Sequence, residues 1–253
     1  MTLGKYSAAQ MVLTEHRADI ERWFPDDHPA HLSVDNNQGL LLKLDGNYVE
    51  ARRIFERVTE QYTYFYGEAH PSTINALVNL GTVLKDVGEF EEAIPVFERV
   101  IEGRRATEGD NSINYAMAKA MAAGAYREVG QYDKADLMIK DAYTIVAMEY
   151  GEDNVTISAI LNSQGLLYKK QQKYERALDS YTRALEIREK AFGEEHPESC
   201  AARHNIGQLY TDWQRPEQAK EFFDKNIAIM EKRTAREKEE ASAAKRATDN
   251  PFV

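Results

Sequence analysis

Among 253 residues there is one cysteine, Cys200, so the chain cannot close an internal disulfide, and a reducing compartment suits it. That thiol is expected to pack in a helix rather than react. No stretch approaches the roughly 18 consecutive apolar residues of a membrane span, and the opening MTLGKYSAAQ lacks a basic segment followed by an apolar core. A soluble, cytoplasmic protein is expected, with organelle import left open if the N-terminus is truncated. Basic residues are outnumbered: 32 Lys and Arg stand against 42 Asp and Glu. The formal charge of −10 argues against general affinity for nucleic acid or anionic lipid. Also missing are G-x-x-x-x-G-K-[ST], H-E-x-x-H and any cysteine pair. No catalytic, cofactor-binding or metal-binding residues are predicted.

What is present is periodicity. Ala51, Ala93, Ala135, Ala177 and Ala219 are spaced by 42 residues. The same step runs through Gly67, Gly109, Gly151 and Gly193, and through Gly39, Gly81, Ala123, Gly165 and Gly207. Ladders in phase at such a period mark a solenoid, in which each unit is stable because its neighbours cover its apolar face.

Each unit resolves into two antiparallel helices. Helix A is predicted over Ser72 to Val87, with Ile74, Leu77, Val78, Leu80, Gly81 and Leu84 at amphipathic spacing. Gly88 ends it, and Gly4, Gly46 and Gly130 share that phase, where glycine can take the left-handed conformation; Gln214 stands there in the last repeat. Helix B begins near Glu89 and carries Phe90, Ala93, Phe97 and Val100 on one stripe. The small residues let the helices approach, and the aromatics fill the remaining space as core.

A Gly or Ala followed by an aromatic, an Ala and an aromatic at offsets of nine, twelve and sixteen resembles the tetratricopeptide repeat. The joints Gly67 to Pro71 (GEAHP) and Gly193 to Pro197 (GEEHP), with Tyr174 to Gly193 (YERALDSYTRALEIREKAFG), resemble the 42-residue subtype of kinesin light chains. The resemblance covers about residues 3 to 234 and implies an all-α, right-handed superhelical solenoid. Its helices A would line a concave groove that holds a peptide or partner protein. A heptad region for a kinesin heavy chain is missing.

The expected organisation is an orphan helix B over 1–24, repeats at 25–66, 67–108, 109–150, 151–192 and 193–234, and a charged helical extension with a flexible tail over 235–253. The orphan helix would leave a stripe through Tyr6, Ala9, Leu13 and Ile20 half covered. Three explanations stand: a fragment of a longer protein, an N-terminal cap, or a surface completed by a partner. Asn250-Pro251-Phe252 resembles the tripeptide bound by EH domains, against the plainer reading of a disordered terminus. His28, His70 and His196 share one phase, but equivalent positions on stacked units lie about 10 Å apart, too far to meet at one ion. They are read as joint residues.

In the family, groove-facing positions lie three before, one after and four after the small residue of helix A. Three before are Asn36, Val78, Ala120, Asn162 and His204; four after are Lys43, Lys85, Arg127, Lys169 and Thr211. The four cations would form a positive track for an acidic ligand. Asn36, Asn37, Asn75, Asn79, Asn162 and Asn205 would hold a peptide backbone. Val78, Ala120, Met121 and Met117 make the middle apolar, suited to a hydrophobic anchor. The basic clamp that grips chaperone C-termini is missing. The function expected is a non-catalytic adaptor binding an acidic segment with a hydrophobic anchor. The alternatives are a structural subunit docked through its outer face and half-repeat end, or a fragment of a larger multidomain protein.

Overall fold

The computed structural model describes residues 2–25 and 28–249, with side chains over 7–25 and 28–242. Among the described residues it is all α, with no strand: α1 (Thr2–Trp23), α2 (Ala30–Leu44), α3 (Tyr48–Tyr66), α4 (Pro71–Asp86), α5 (Phe90–Glu108), α6 (Ile113–Glu128), α7 (Tyr132–Tyr150), α8 (Val155–Lys170), α9 (Tyr174–Phe192), α10 (Pro197–Asp212) and α11 (Pro216–Asp249). None of these helices is long and apolar enough to cross a membrane. The chain forms two compact units, Met1–Ile145 and Val146–Val253. In the first, each helix from α1 to α5 packs on its successor, and α2 also touches α4. In the second, α8, α9, α10 and α11 pack in the same sequential way.

The joints explain why the helices start where they do. His70 and His196 sit at N-caps, each accepting a hydrogen bond at Nδ1 from the backbone N–H two residues on, with Pro71 and Pro197 opening the helices. Ser112 and Asn154 cap α6 and α8 through side-chain oxygens. The histidine rings also stack on an aromatic at or just past the end of the preceding helix: Phe24 with His28 at 4.3 Å, Tyr66 with His70 at 4.4 Å and Phe192 with His196 at 4.6 Å between centroids. Each of these histidines thus serves its own joint.

Helices A of the first unit end on left-handed glycines, Gly88 at φ 87° among them. In the second unit glutamines do this work, Gln172 and Gln214 both at φ 59°, although a Cβ there costs roughly 1–2 kcal/mol. Gly4 makes no such turn. It lies inside α1, which is continuous from Thr2.

Packing follows the ladders. A Cβ on Gly39 would meet the Phe55 ring at 2.7 Å, on Gly81 the Phe97 ring at 2.7 Å and on Gly207 the Phe223 ring at 2.6 Å; Gly165 faces Tyr181 likewise. In the third repeat both partners change: Ala123 takes the glycine phase, Ile139 the aromatic one, and both are buried. The smaller side chain leaves room for the methyl group.

Candidate functional site

In the first unit α2, α4 and α6 carry the predicted groove residues. Asn79 Nδ2 donates to Asn36 Oδ1 at 2.9 Å, and the two are 43 residues apart, one more than the repeat period. Two turns further on, Lys43 meets Asp86 at 3.3 Å across the same spacing. Of the predicted apolar residues, Val78 of α4 and Met117 and Met121 of α6 are half-buried, and Ala120 of α6 is buried. The second unit repeats the scheme on α8 and α10, where Asn205 donates to Asn162 at 2.6 Å and Lys169 pairs with Asp212 at 2.9 Å. His204 is exposed, its ring 5.3 Å from Phe223.

The cations are therefore not bare. Arg127 pairs with its neighbour Glu128 at 2.8 Å, and Lys43 and Lys169 each pair with an acid of the following helix A. Lys85 is held below the ordinary lysine value, first by burial. Lys43 and Arg127 push it the same way, while Asp86 and Glu128 oppose them. At Asp212 burial works against the charge, but hydrogen bonds from Lys169 and Gln208 outweigh it and keep the carboxyl below its usual range. Asn75 is occupied elsewhere, accepting from Arg104 of α5 at 2.8 Å.

The first unit thus brings together Asn36, Asn79, Lys43, Lys85 and Arg127, and the second brings together Asn162, Asn205 and Lys169. What the sequence reading missed are the acids Asp86, Glu128 and Asp212. The signal was present, since each follows the ladder residue by five. Arg203 was missed as well. It is 1% exposed, with Nη1 donating to Asn226 at 2.8 Å and Nη2 held by Glu189. Its phase holds Leu77 and Leu161 in two other repeats and the ion-paired Asp35 and Lys119 in two more, so a charge there demands partners.

The model of the tetratricopeptide repeat family matches residues 31–106, 72–147 and 156–232, and the chain belongs to this family. No curated protein sequence is similar enough to match it. Solved structures with the same fold include the nearly identical TPR-like repeats of a Podosopora anserina kinesin light chain candidate, at 20% identity and TM-score 0.65, covering 82% of this chain and 98% of that one. BtubC (BKLC) from P. vanneervenii is 16% identical with TM-score 0.66, covering 90% and 91%. NprR in complex with its cognate peptide NprX is 18% identical with TM-score 0.67, covering 90% and 62%. The chain is thus a tetratricopeptide repeat solenoid, a class that serves in protein interaction, and it shares its fold with kinesin-light-chain-like repeats.

Proposed function

We propose that the face built by α2, α4 and α6 holds a short acidic segment of a partner protein, with one bulky apolar side chain seated against Val78, Met117 and Met121. The observation that carries this reading is the placement of half-buried Lys85 beside Lys43 and Arg127, where burial first, and then those two charges, disfavour its charged form against the pull of Asp86 and Glu128. A carboxylate from outside would relieve that repulsion and gain from three cations at once. The Asn36–Asn79 rung adds donors and acceptors that suit an extended backbone. Asn162, Asn205, Lys169 and His204 offer a shorter stretch of the same chemistry in the second unit. That the related fold of NprR is seen with a cognate peptide supports a peptide rather than a small molecule. The protein is accordingly read as a non-catalytic adaptor.

The test compares partners captured by the intact chain and by a Lys43→Gln, Lys85→Gln, Arg127→Gln variant, both checked by circular dichroism. Partners lost from the variant and weakened by added salt would support the reading. An identical partner set would defeat it.

A further inference from the structure

A hollow lies on the outer side of α5, at phases where the other repeats carry longer side chains. Pro95, Glu98, Glu102 and Ala106 fall on one stripe of this helix, and with Ala69 of the preceding joint they line a cavity of about 720 Å³. At the phase of Pro95 the other repeats have Arg53, Leu137, Asp179 and Glu221, and at that of Ala106 they have Tyr64, Met148, Lys190 and Lys232. At that of Ala69 they have Asp27, Asn111, Asp153 and Glu195. Only the second repeat combines short apolar residues at all three phases, and all three are exposed. Gly103 closes the floor against Ile74, which a Cβ there would meet at 2.8 Å.

The rim decides what fits. Arg99 and Glu68 close on each other through bonds of 2.9 and 3.0 Å, so this cation is engaged. Glu98 and Glu102 stand one turn apart, a like-charge spacing that weakens a helix. Their nearest cations sit at the limit of pairing, Lys134 4.0 Å from Glu98 and Arg105 4.0 Å from Glu102, and Arg105 is drawn also to Asp110 at 3.9 Å. Among the described residues none donates a hydrogen bond to Glu102, and Tyr126 alone donates to Glu98, through its buried Oη. We infer that this hollow seats an arginine of a basic partner protein, its guanidinium between Glu98 and Glu102 and its stem on Pro95, Ala69 and Ala106. Two carboxylates about 5–6 Å apart at their Cβ atoms can each take one edge of a planar fork with five donors. An ammonium is a more strongly hydrated point charge and gains less over an apolar floor. An apolar or acidic side chain would desolvate the carboxylates without supplying a counter-charge. A second copy of this chain carries the same formal charge of −10 and is repelled at long range, so the arginine is assigned to a different, basic protein.

The probe is a fluorescein-labelled peptide of arginines alternating with alanines, titrated into the full chain by fluorescence anisotropy beside the same peptide with lysine or with uncharged citrulline. Saturable binding is expected, weaker by about threefold with lysine and by at least about tenfold with citrulline. Glu98→Gln with Glu102→Gln should weaken the arginine peptide by about tenfold, and Ala106→Tyr, which puts the residue of the first repeat into the hollow, should do the same. Glu239→Gln with Glu240→Gln removes equal charge from α11 and should leave the affinity within about twofold. All these positions are exposed, and circular dichroism checks that the fold is kept. No saturable binding, equal affinity for lysine, indifference to Ala106→Tyr, or an equal loss from the α11 pair would overturn the proposal, the last by showing general attraction to an acidic chain. In sedimentation of the intact chain, a dimer dispersed by Ala106→Tyr would mean that a second copy fills the hollow and would overturn the basic partner.

Discussion

The first and last helices meet the same difficulty with opposite chemistry. Both are B-type helices, and among the described helices α1 packs on α2 and α11 on α10. α1 leaves Met11 and Val12 about two-thirds exposed, at 65% and 64%, beside an apolar groove. α11 exposes Ile227 and Met230, and from Glu231 onward its described side chains are exposed and almost wholly polar or small. It is tied back to the last joint by Lys225 with Glu194 at 3.5 Å, and by Lys232 and Arg236 with Glu195, each at 3.1 Å. The outer face of a B-type helix can therefore be polar and tied back by charge, as in α11. The apolar face of α1 is a matter of sequence, not a necessity of the fold.

The largest break in this contrast should come at Arg203, which joins α10 to α9 and α11. Arg203→Ala strands Glu189 and Asn226 and should cost about 3–5 kcal/mol, read as loss of hydrogen-exchange protection in α9 to α11 with α2 to α5 unaffected. Arg203→Leu with Glu189→Gln should recover much of it, because leucine fills that phase at Leu77 and Leu161. If the single change unfolds nothing, the account of a charge held by its partners is wrong.

At the other end, Gly39→Ala forces a methyl group into the Phe55 ring and should cost about 1–3 kcal/mol in denaturant unfolding of the first unit. Combining it with Phe55→Ile, the pairing at Ala123 and Ile139, should restore part of the loss. Additive losses would reject the idea that ring size and Cβ are matched.

Smaller effects separate the two units' turns. Gln172→Gly or Gln214→Gly should stabilise the second unit by up to about 1 kcal/mol, since both residues sit at φ 59°. A fall in the thermal midpoint would mean that the glutamine side chains earn their place by contacts.

The smallest effect concerns pH at the charged end. Hydrogen bonds and charge from Lys232, then Arg236, hold the Glu195 carboxyl below its ordinary value. The tie is thus present above the unfolded glutamate range and is lost as pH falls through the lower folded value. Acid below about pH 4 should increase hydrogen exchange over residues 232–242, and Glu195→Gln should abolish that pH step.

Much of the fold was legible because packing at a fixed period is written in single residues. Gly81 and Phe97 announce their contact sixteen residues apart, and α5 starts where the turn at Gly88 requires. The site was less legible because it depends on the step between neighbouring helices. Spacing alone put Lys43 and Lys85 in one row but did not show that Asp86 reaches back to Lys43. Asn75 was assigned to the groove by residue type, whereas Arg104 on another helix engages it. Gln172 shares the phase of Gln214 and could have been found by the same count. The Asn250-Pro251-Phe252 tripeptide and Tyr6 lie outside the described side chains.

The extra residue in the 43-residue rungs has a consequence for how this surface can change. Core partners recur at 42 or sit sixteen apart, while face partners such as Asn36 with Asn79 and Asn162 with Asn205 are linked at 43. Packing and recognition are thus addressed by different intervals in the same text. A pair of substitutions 43 residues apart rewrites one rung and leaves every glycine and its ring untouched, so specificity can drift rung by rung across a scaffold that stays fixed.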